Sequence, residues 1–412
     1  MPSPYLSRCA VFGAAAMLLA SFASSAFAEP VTLPEALDRA QAGSPLITAA
    51  EANVRAAEGR ARQASLLPNP EIDLATENVG GTGSLTGVQA AETTLSVGQR
   101  IELGGKRSAR LNAARAEVET ARLRLRIARA DLAKEVREAF AQVVAARRRV
   151  DLAKNQFVRA ESLQKIAVTL VEAGREPPLR ALRAKTATLE AVGRVRAAEA
   201  DYAAAQRALA ALWGGSENLP DAVVAEEPIP PSPGDPTAVL DVQLAEAELA
   251  AAIAAERRER TLSRPDVTVS VGGRRLAASD ETAMVVGLSM PLGLFDRNQG
   301  NIAAASADRT GADARRNAAL AAALRRTRDA TAALRTAEAR LEFLEKRAEP
   351  EALEAVRIAR EGFAAGRFTL LDVLDAEAAL NSLQSDLITA ELDRALALAA
   401  LLRATETEGA SQ

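Results

Sequence analysis

One stretch of this chain is too long to be a helix of an ordinary globular domain. Between Arg107 and Ala173 there is neither glycine nor proline. A helix over that range would be roughly 100 Å long, because each residue advances an α-helix by about 1.5 Å. A helix of that length is not expected in a compact domain, but it is expected in a tube or in a bridge between two compartments.

The same plan occurs twice along the chain. The AGR turn at residues 173–175 returns at residues 365–367, and the LPNPEI stretch at 67–72 has a counterpart, LSRPDV, at 262–267. A period this long indicates a duplicated structural half rather than a solenoid of small repeats. We therefore predict two repeats, residues 29–213 and 237–404, each with a helix, two strands, a long helix and a return helix.

A proline-rich segment separates the two predicted repeats. Residues 214–236 contain Pro220, Pro228, Pro230, Pro231, Pro233 and Pro236. This composition predicts a linker, or a strap on the outside of a helical body, and not a core element. The final stretch, residues 405–412, is predicted to be a disordered tail.

Composition favours thin helical packing over a thick globular core. Hydrophobic residues make up 48% of the chain but aromatic residues only 3%. Alanine supplies much of the apolar share, favours helix and lets helix backbones approach closely. The net charge of −3 is not that of a typical nucleic-acid-binding protein, which carries an excess of basic residues. Most charged residues are interleaved in sign along the predicted helices, as is typical of solvated helix faces.

Residues 1–28 have the pattern of a cleaved secretory signal peptide. Arg8 precedes an apolar core, and residues 26–28 (AFA) form an A-x-A cleavage site. Cys9, the only cysteine, lies before that core, so we expect it to leave with the signal and the mature chain not to be lipidated. The mature chain would then have neither cysteine nor histidine. This excludes Ser-His and Cys-His catalysis and any metal site built on thiolate or imidazole ligands, and we predict no cofactor, no resident metal and no enzyme activity.

Each repeat contains two stretches in which apolar and polar residues alternate. The apolar positions are Ile72, Leu74, Leu95, Val97, Ile101, Val267, Val269, Val271, Met284, Val286, Leu288 and Met290. Runs of about ten residues with one apolar face have the length of a tilted strand that crosses a bilayer. The alternative is two ordinary surface hairpins. No segment after residue 28 is apolar enough for a transmembrane helix, so we expect an exported protein that is either periplasmic or crosses the outer membrane with strands.

The most specific local stretch, TLLDVLDA at residues 369–376, follows the second AGR turn. Gly366 is placed to end one helix in the left-handed conformation, and Thr369 is placed to cap the next. Asp372 then lies at the third helical position, so a capping box explains it without any further role. Asp375 lies one position too deep in the helix for that explanation.

The corresponding residues of the first repeat carry the opposite charge. They are Arg180 and Arg183, which match Asp372 and Asp375. Opposite charges at duplicated positions attract if the two helix ends converge. The alternative is that all four are ordinary surface charges.

These patterns resemble a known family. The duplicated order of elements and the TLLDVLDA stretch are similar to the TolC-type outer-membrane efflux factors. Two further stretches, ELGGKR at 102–107 and PLGLFDRNQGNI at 291–302, resemble the CzcC-like branch that serves heavy-metal pumps. The resemblance covers essentially the whole mature chain, and it depends on the order of the elements more than on any one motif.

The resemblance implies a mainly α fold with a membrane β-barrel. Three copies would form a homotrimer whose long-helix hairpins build an α-barrel tunnel in the periplasm. Each subunit would add four strands to one shared twelve-stranded barrel in outer-membrane lipid. It also implies two partners, a periplasmic membrane-fusion adaptor and an inner-membrane RND antiporter, and a passive exit duct for divalent heavy-metal cations such as cobalt, zinc and cadmium.

The resemblance also implies roles for the residues of the two tips. The adaptor contact would be formed by Gly174, Arg175, Gly366, Arg367, Phe368 and Thr369. The periplasmic gate would be formed by Asp372 and Asp375 as acidic rings, and we add Arg180 and Arg183 as their partners. Two departures from the family pattern concern the geometry. The first tip, REPP at 175–178, lacks the usual cap, and Pro350 is expected to kink or divide the second long helix.

Two other functions stay open at this stage. Within the same class, the chain would be an outer-membrane factor for multidrug efflux or type I secretion. In a different class, it would be a periplasmic coiled-coil adaptor or scaffold, which would be expected to have one helical hairpin and compact β domains instead of a duplicated chain.

Overall fold

A computed structural model describes residues 30–215, 221–222 and 235–407. The predicted signal peptide and most of the predicted strap lie outside the described residues, as do residues 408–412. None of the described helices combines the length and the apolarity that crossing a membrane requires.

The first half of the chain is built around one uninterrupted helix. Its elements are β1 (Pro30–Val31), α1 (Leu33–Gly43), α2 (Pro45–Ala64), β2 (Glu71–Glu77), β3 (Glu92–Ile101), α3 (Lys106–Glu172) and α4 (Pro178–Ala211). Helix α3 has 67 residues, so it is about 100 Å long. The predicted rod is therefore confirmed over almost all of the range that lacks glycine and proline.

The second half has a similar order of elements, except that α1 has no α-helical counterpart among the described residues and the long helix is divided into two. Its elements are β4 (Asp221–Ala222), α5 (Leu240–Leu262), β5 (Val267–Leu276), β6 (Glu281–Ser289), α6 (Gln299–Phe343), α7 (Glu349–Ala364) and α8 (Leu370–Ala404). A π-helical turn at Leu344–Ala348 joins α6 to α7. It lies directly before Pro350, whose ring clashes with the carbonyl four residues earlier and which has no amide hydrogen to donate. The expected interruption of the second long helix at Pro350 is confirmed.

The helices form a layer of four rows. Helix α3 packs against α2 and α4 in its own half and against α5 and α8 of the other half, and those two pack against α6 and α7. Where α1 crosses α3, a core of small and medium apolar side chains closes around Ala36, Val136, Val143 and Leu209, each completely buried. Alanine at many contacts keeps the layer thin, as the composition predicted.

Helices α5 and α8 meet end to end. The amide of Leu240, at the start of α5, donates to the carbonyl of Glu406 at 3.1 Å, and Val239 forms an isolated bridge with Thr407. The expectation that the disordered tail begins at residue 405 is therefore wrong for residues 405–407. They are ordered because the free amide at the start of α5 needs an acceptor.

The strands of the two halves form a single antiparallel sheet in the order β2-β3-β5-β6. Its register places Ile72, Val97, Val271 and Val286 in one row across all four strands. The next row on the same face includes Leu74, Leu95 and Met284. These side chains are exposed in the single chain, from 46% for Val97 to 80% for Met284. The alternation predicted from the sequence is confirmed. It gives the sheet one uncovered face whose central rows are apolar apart from Gln99, with a polar row at the far end formed by Thr76, Thr93, Arg275 and Thr282.

Candidate functional site

The opposite face of the sheet is polar and mainly acidic. Near its far end Glu77, Glu92 and Glu281 lie in one row. Arg274 donates to the Thr94 hydroxyl at 2.9 Å and to a Glu92 carboxylate oxygen at 2.8 Å, and its guanidinium lies 3.2 Å from Glu77. The Arg274 guanidinium thus joins β2, β3 and β5. The carboxylates of this row still outnumber the cations, and such a surface attracts cations in an aqueous passage.

At the other end of the molecule, two turns of the same geometry join the long helices to the return helices. Gly174 and Gly366 have φ angles of 67° and 70°, in the left-handed region that suits glycine. The amides of Arg175 and Arg367 donate to the carbonyl five residues earlier, at 2.9 and 2.8 Å. Both turns are Schellman-type helix ends, so the sequence duplication is also a structural one.

The two turns lie close together in space. A small core near them combines Leu163 and Ala167 of α3, Ala184 of α4, Ala359 of α7, and Leu370 and Val373 of α8. Beyond this core, the residues of the predicted adaptor contact are all exposed: Gly174, Arg175, Gly366, Arg367, Phe368 and Thr369. The tips of both halves therefore present one continuous surface at the end of the helical layer.

The second tip has the predicted capping box. The hydroxyl and the amide of Thr369 both donate to the Asp372 carboxylate at 2.7 Å, and the Asp372 amide donates back at 3.4 Å. These bonds from Thr369, with a smaller contribution from Arg180, hold the pKa of Asp372 below its usual value. The cap therefore stabilises the fold above the pKa that the carboxyl has in the unfolded chain. It is lost as the pH falls through the lowered pKa.

The other predicted gate residues are brought near the tip but are not all in contact. Arg180 pairs with Glu176, one turn before it, at 3.0 Å. Asp375 and Arg183 are exposed. The first tip begins at Pro178 without a side-chain cap, as its sequence predicted. Within one chain, then, Arg180 pairs with Glu176, which lies in the turn just before α4, and not with a carboxylate of α8.

A buried charge cluster above the tip was not predicted from the sequence. Glu377 of α8 has a side chain only 7% exposed, and it pairs with Arg360 of α7. Its second oxygen lies 3.3 Å from Arg159 of α3, which also donates to Asn381 at 2.8 Å. This cluster ties α8 to helices of both halves, directly above the residues that carry the predicted gate.

One signal in the sequence would have revealed Glu377. The buried positions of α8 begin with Leu370, Val373, Glu377 and Leu380, the spacing of three and four residues that marks the inner stripe of a helix. A glutamate within that stripe has to meet buried cations. Its partners are distant in sequence, so only the pattern around Glu377 is local.

No group of three or more acidic, histidine or cysteine side chains among the described residues is arranged to hold a metal ion.

The model of the outer membrane efflux protein family matches residues 36–215 and 239–406. The two matched segments correspond to the two halves of the chain and leave out the proline-rich segment between them. This family comprises efflux proteins, not enzymes.

Individual relatives agree with the family match. The chain is 34% identical over 365 residues to the cobalt-zinc-cadmium resistance protein CzcC of Cupriavidus metallidurans, covering 86% of this chain and 84% of that protein. It is 34% identical over 295 residues to the nickel-cobalt-cadmium resistance protein NccC of Alcaligenes xylosoxydans, covering 70% of this chain and 67% of that one. In fold it is similar to the outer membrane protein VceC of Vibrio cholerae, with a TM-score of 0.76, 24% identity and coverage of 91% and 96%. The chain belongs to the outer membrane efflux protein family, in its CzcC-like branch.

Proposed function

We propose that this protein is the exit duct of a tripartite efflux system and that divalent heavy-metal cations are its cargo. The observation that carries the proposal is the sheet. One face has an uncovered, mainly apolar centre and the other is polar and acidic. The outer strands β2 and β6 each pair on one side only within the described residues. The backbone groups at the two edges of such a sheet need further strands as hydrogen-bond partners, and its apolar face needs to contact lipid.

A homotrimer satisfies both requirements. In the proposed assembly, β6 of one copy pairs with β2 of the next, so that three four-stranded sheets close into one twelve-stranded barrel. The helical rows of the two duplicated units, 29–213 and 237–404, continue below it as a periplasmic tunnel, with the 214–236 strap around the middle. Closure also places the acidic face of the sheet towards the water-filled interior.

The cargo is proposed from the relatives and from the chemistry of the chain. CzcC and NccC are named for resistance to cobalt, zinc, cadmium and nickel. The chain has no histidine, and its single cysteine lies within residues 1–28, so the mature duct would offer carboxylates and no strong ligands for these ions. Weak sites suit a conduit, because conduction requires that the ion leaves as readily as it enters.

The tip is proposed to be the contact with the pump assembly. Energy would come from an inner-membrane RND antiporter, and a periplasmic membrane-fusion adaptor would bind the exposed turns at residues 174–175 and 366–369. Export would remove residues 1–28 and leave the chain without a lipid anchor. The N-terminal sequence and the intact mass of the protein from outer membranes test this last point directly.

Deletion of the gene is the experiment that tests the cargo. We expect the deletion strain to become sensitive to zinc, cobalt, cadmium or nickel, and the intact gene on a plasmid to restore growth. Unchanged metal tolerance with new sensitivity to drugs, or with loss of a secreted protein, would favour the multidrug or type I alternative. A protein that does not fractionate with the outer membrane as a heat-modifiable trimer would favour the periplasmic scaffold.

We expect the gate to depend on the two tip aspartates. In planar bilayers, Asp372→Ala with Asp375→Ala should raise the resting conductance several-fold and weaken block by multivalent cations, because it removes two carboxylates per subunit from the narrow entrance. Asp372→Asn with Asp375→Asn separates the loss of charge from the loss of the helix cap. Asp386→Ala, at an acidic position further along α8, is the control. Wild-type conductance in both double variants would remove these residues from the gate.

A second prediction concerns the partners of those aspartates. If Arg180 and Arg183 hold the entrance shut by pairing with Asp372 and Asp375 of the same or a neighbouring subunit, changing either pair to the opposite charge should raise resting conductance. Exchanging all four charges should restore closure. A fourfold exchange that leaks as much as either half-exchange would show that the residues do not pair.

A further inference from the structure

The segment between β6 and α6 is an exposed loop with an unusual arrangement of polar and apolar groups. Residues 290–298, here called the rim loop, lie at the end of the sheet where the long helices begin. The side chains of Leu292, Leu294 and Phe295 are 72%, 66% and 91% exposed. Single exposed apolar residues are common on proteins, but three within four positions need a partner.

The rim loop continues the apolar stripe of β6. Met284, Val286 and Leu288 lie on the apolar face of the sheet, and the apolar residues recur at the same spacing at Met290, Leu292 and Leu294. Residues 290–298 are not part of a strand, but they follow Ser289 directly, so their exposed apolar side chains lie next to the end of the stripe that faces the helices. An exposed apolar surface beside the face that we propose meets lipid is placed to meet the same lipid.

Polar side chains of the rim loop and of Gln299, the first residue of α6, form hydrogen bonds with the backbone of the loop. Asp296 accepts from the Asn298 amide at 2.8 Å and Gln299 accepts from the Arg297 amide at 2.8 Å. The Arg297 side chain donates to the carbonyl of Gly293 at 3.2 Å, and the Gln299 side chain donates to the carbonyl of Phe295 at 3.2 Å. Backbone groups must be paired in this way where water is scarce.

The rim loop is also fixed to the helical part of the molecule. Asn298 has a φ of 60°, an uncommon conformation for a residue other than glycine. Its side-chain amide donates to both the backbone carbonyl and the carboxylate of Glu259 at 2.9 Å. Because Glu259 lies in the last turn of α5, the loop has a defined position relative to that helix.

We infer that the rim loop is a membrane foot, in which Leu292, Leu294 and Phe295 enter the periplasmic leaflet of the outer membrane. The ligand is a phospholipid surface, with the acyl chains around the three apolar side chains and the headgroups beside the exposed Arg297, whose stem can reach towards them. The inference rests on the proposed function, because it needs the apolar face of the sheet in the bilayer. The foot would fix the depth and the tilt of a duct that we propose has no acyl anchor.

Tryptophan fluorescence in brominated lipids tests the foot. The native chain has one tryptophan, Trp213, which is packed beside α1 in the helical part. A Phe295→Trp variant of the full-length mature protein, reconstituted in vesicles, should give additional blue-shifted emission. This emission should be lost when bromine is placed near the headgroup end of the acyl chains, and less so when bromine is near the chain terminus.

A matched control is Phe343→Trp, at an exposed phenylalanine that ends α6. It lies roughly 65 Å along the helix from Gln299, so its emission should not respond to bromine at any depth. If bromine at no depth quenches the emission of the Phe295→Trp variant, the rim loop is not a membrane foot. Unquenched red-shifted emission would mean that the loop lies in water, and unquenched blue-shifted emission that a second copy of the chain covers it.

The same variant separates the foot from the duct. If Phe295→Trp conducts as wild type in planar bilayers but is not quenched, the foot is wrong and the duct is unaffected. If the emission at position 295 is quenched but neither the variant nor the wild-type protein conducts, the proposed duct is wrong and the membrane contact is still supported.

Discussion

An arginine in place of Val286 is expected to prevent the protein from assembling in the outer membrane. Val286 lies in the middle of β6, in the apolar row shared with Val271, Val97 and Ile72. A charge on the lipid face near the bilayer midplane costs about 2–4 kcal/mol per substituted strand. In a trimer that cost arises three times. The measurement is the amount of heat-modifiable trimer in outer-membrane fractions, which should fall to near the background.

The chain offers a matched control at the next position. Val285 is also a valine on the same strand and at nearly the same depth, but it lies on the polar face beside Gly272. Arginine at Val285 would point into water, so we expect trimer levels close to wild type, with reduced cation selectivity of the conductance. Equal losses at both positions would mean that the apolar face does not contact lipid.

Removing the buried carboxylate of Glu377 is expected to give a large loss of stability in the helical part. In Glu377→Ala, Arg159 would keep only its bond to Asn381 and would be left largely buried without a carboxylate partner, whereas the half-exposed Arg360 could be solvated by water. Breaking a buried ion pair from one side costs about 3 kcal/mol. The midpoint of guanidinium unfolding, followed by circular dichroism of the purified protein, should fall accordingly.

Two variants show whether charge burial is the cause. Glu361→Ala removes an exposed carboxylate that pairs with Arg357 on the same helix, and such surface pairs contribute less than about 1 kcal/mol. Arg159→Met with Glu377→Met replaces charged partners by apolar side chains, which should recover part of the lost stability. If Glu361→Ala were as damaging as Glu377→Ala, the cluster would have no special role.

Most of the fold could be predicted because its signals are local. The range without glycine or proline predicted α3, the alternation around Val269 and Val286 predicted the strands, and the Gly366-Thr369-Asp372 spacing predicted a helix end followed by a capping box. Each of these depends on residues within one or two turns of one another. The resemblance to a known family supplied the assembly, which no single element contains.

What could not be predicted depends on distant partners. The adjacency of β3 and β5 joins residues that are far apart in the chain, and nothing local specifies it. The same applies to the meeting of Glu377 with Arg159, and to the pairing of Glu406 with Leu240. From the sequence alone, a charged residue of a helix is interpreted as solvent-exposed, because the helix that packs beside it is not known. Glu377 is therefore not distinguished from the many other charges that alternate in sign along the helices.

The π-helical turn at Leu344–Ala348 makes the two halves mechanically unequal. Helix α3 is unbroken, whereas the corresponding rod in the second half contains this turn, with the 16 residues of α7 between the turn and the tip. A turn that departs from the regular hydrogen-bond ladder, followed by a proline, bends at lower cost than the α-helix on either side of it. We therefore expect the second of the two long arms to bend at residues 344–348 more readily than the first bends anywhere along its length.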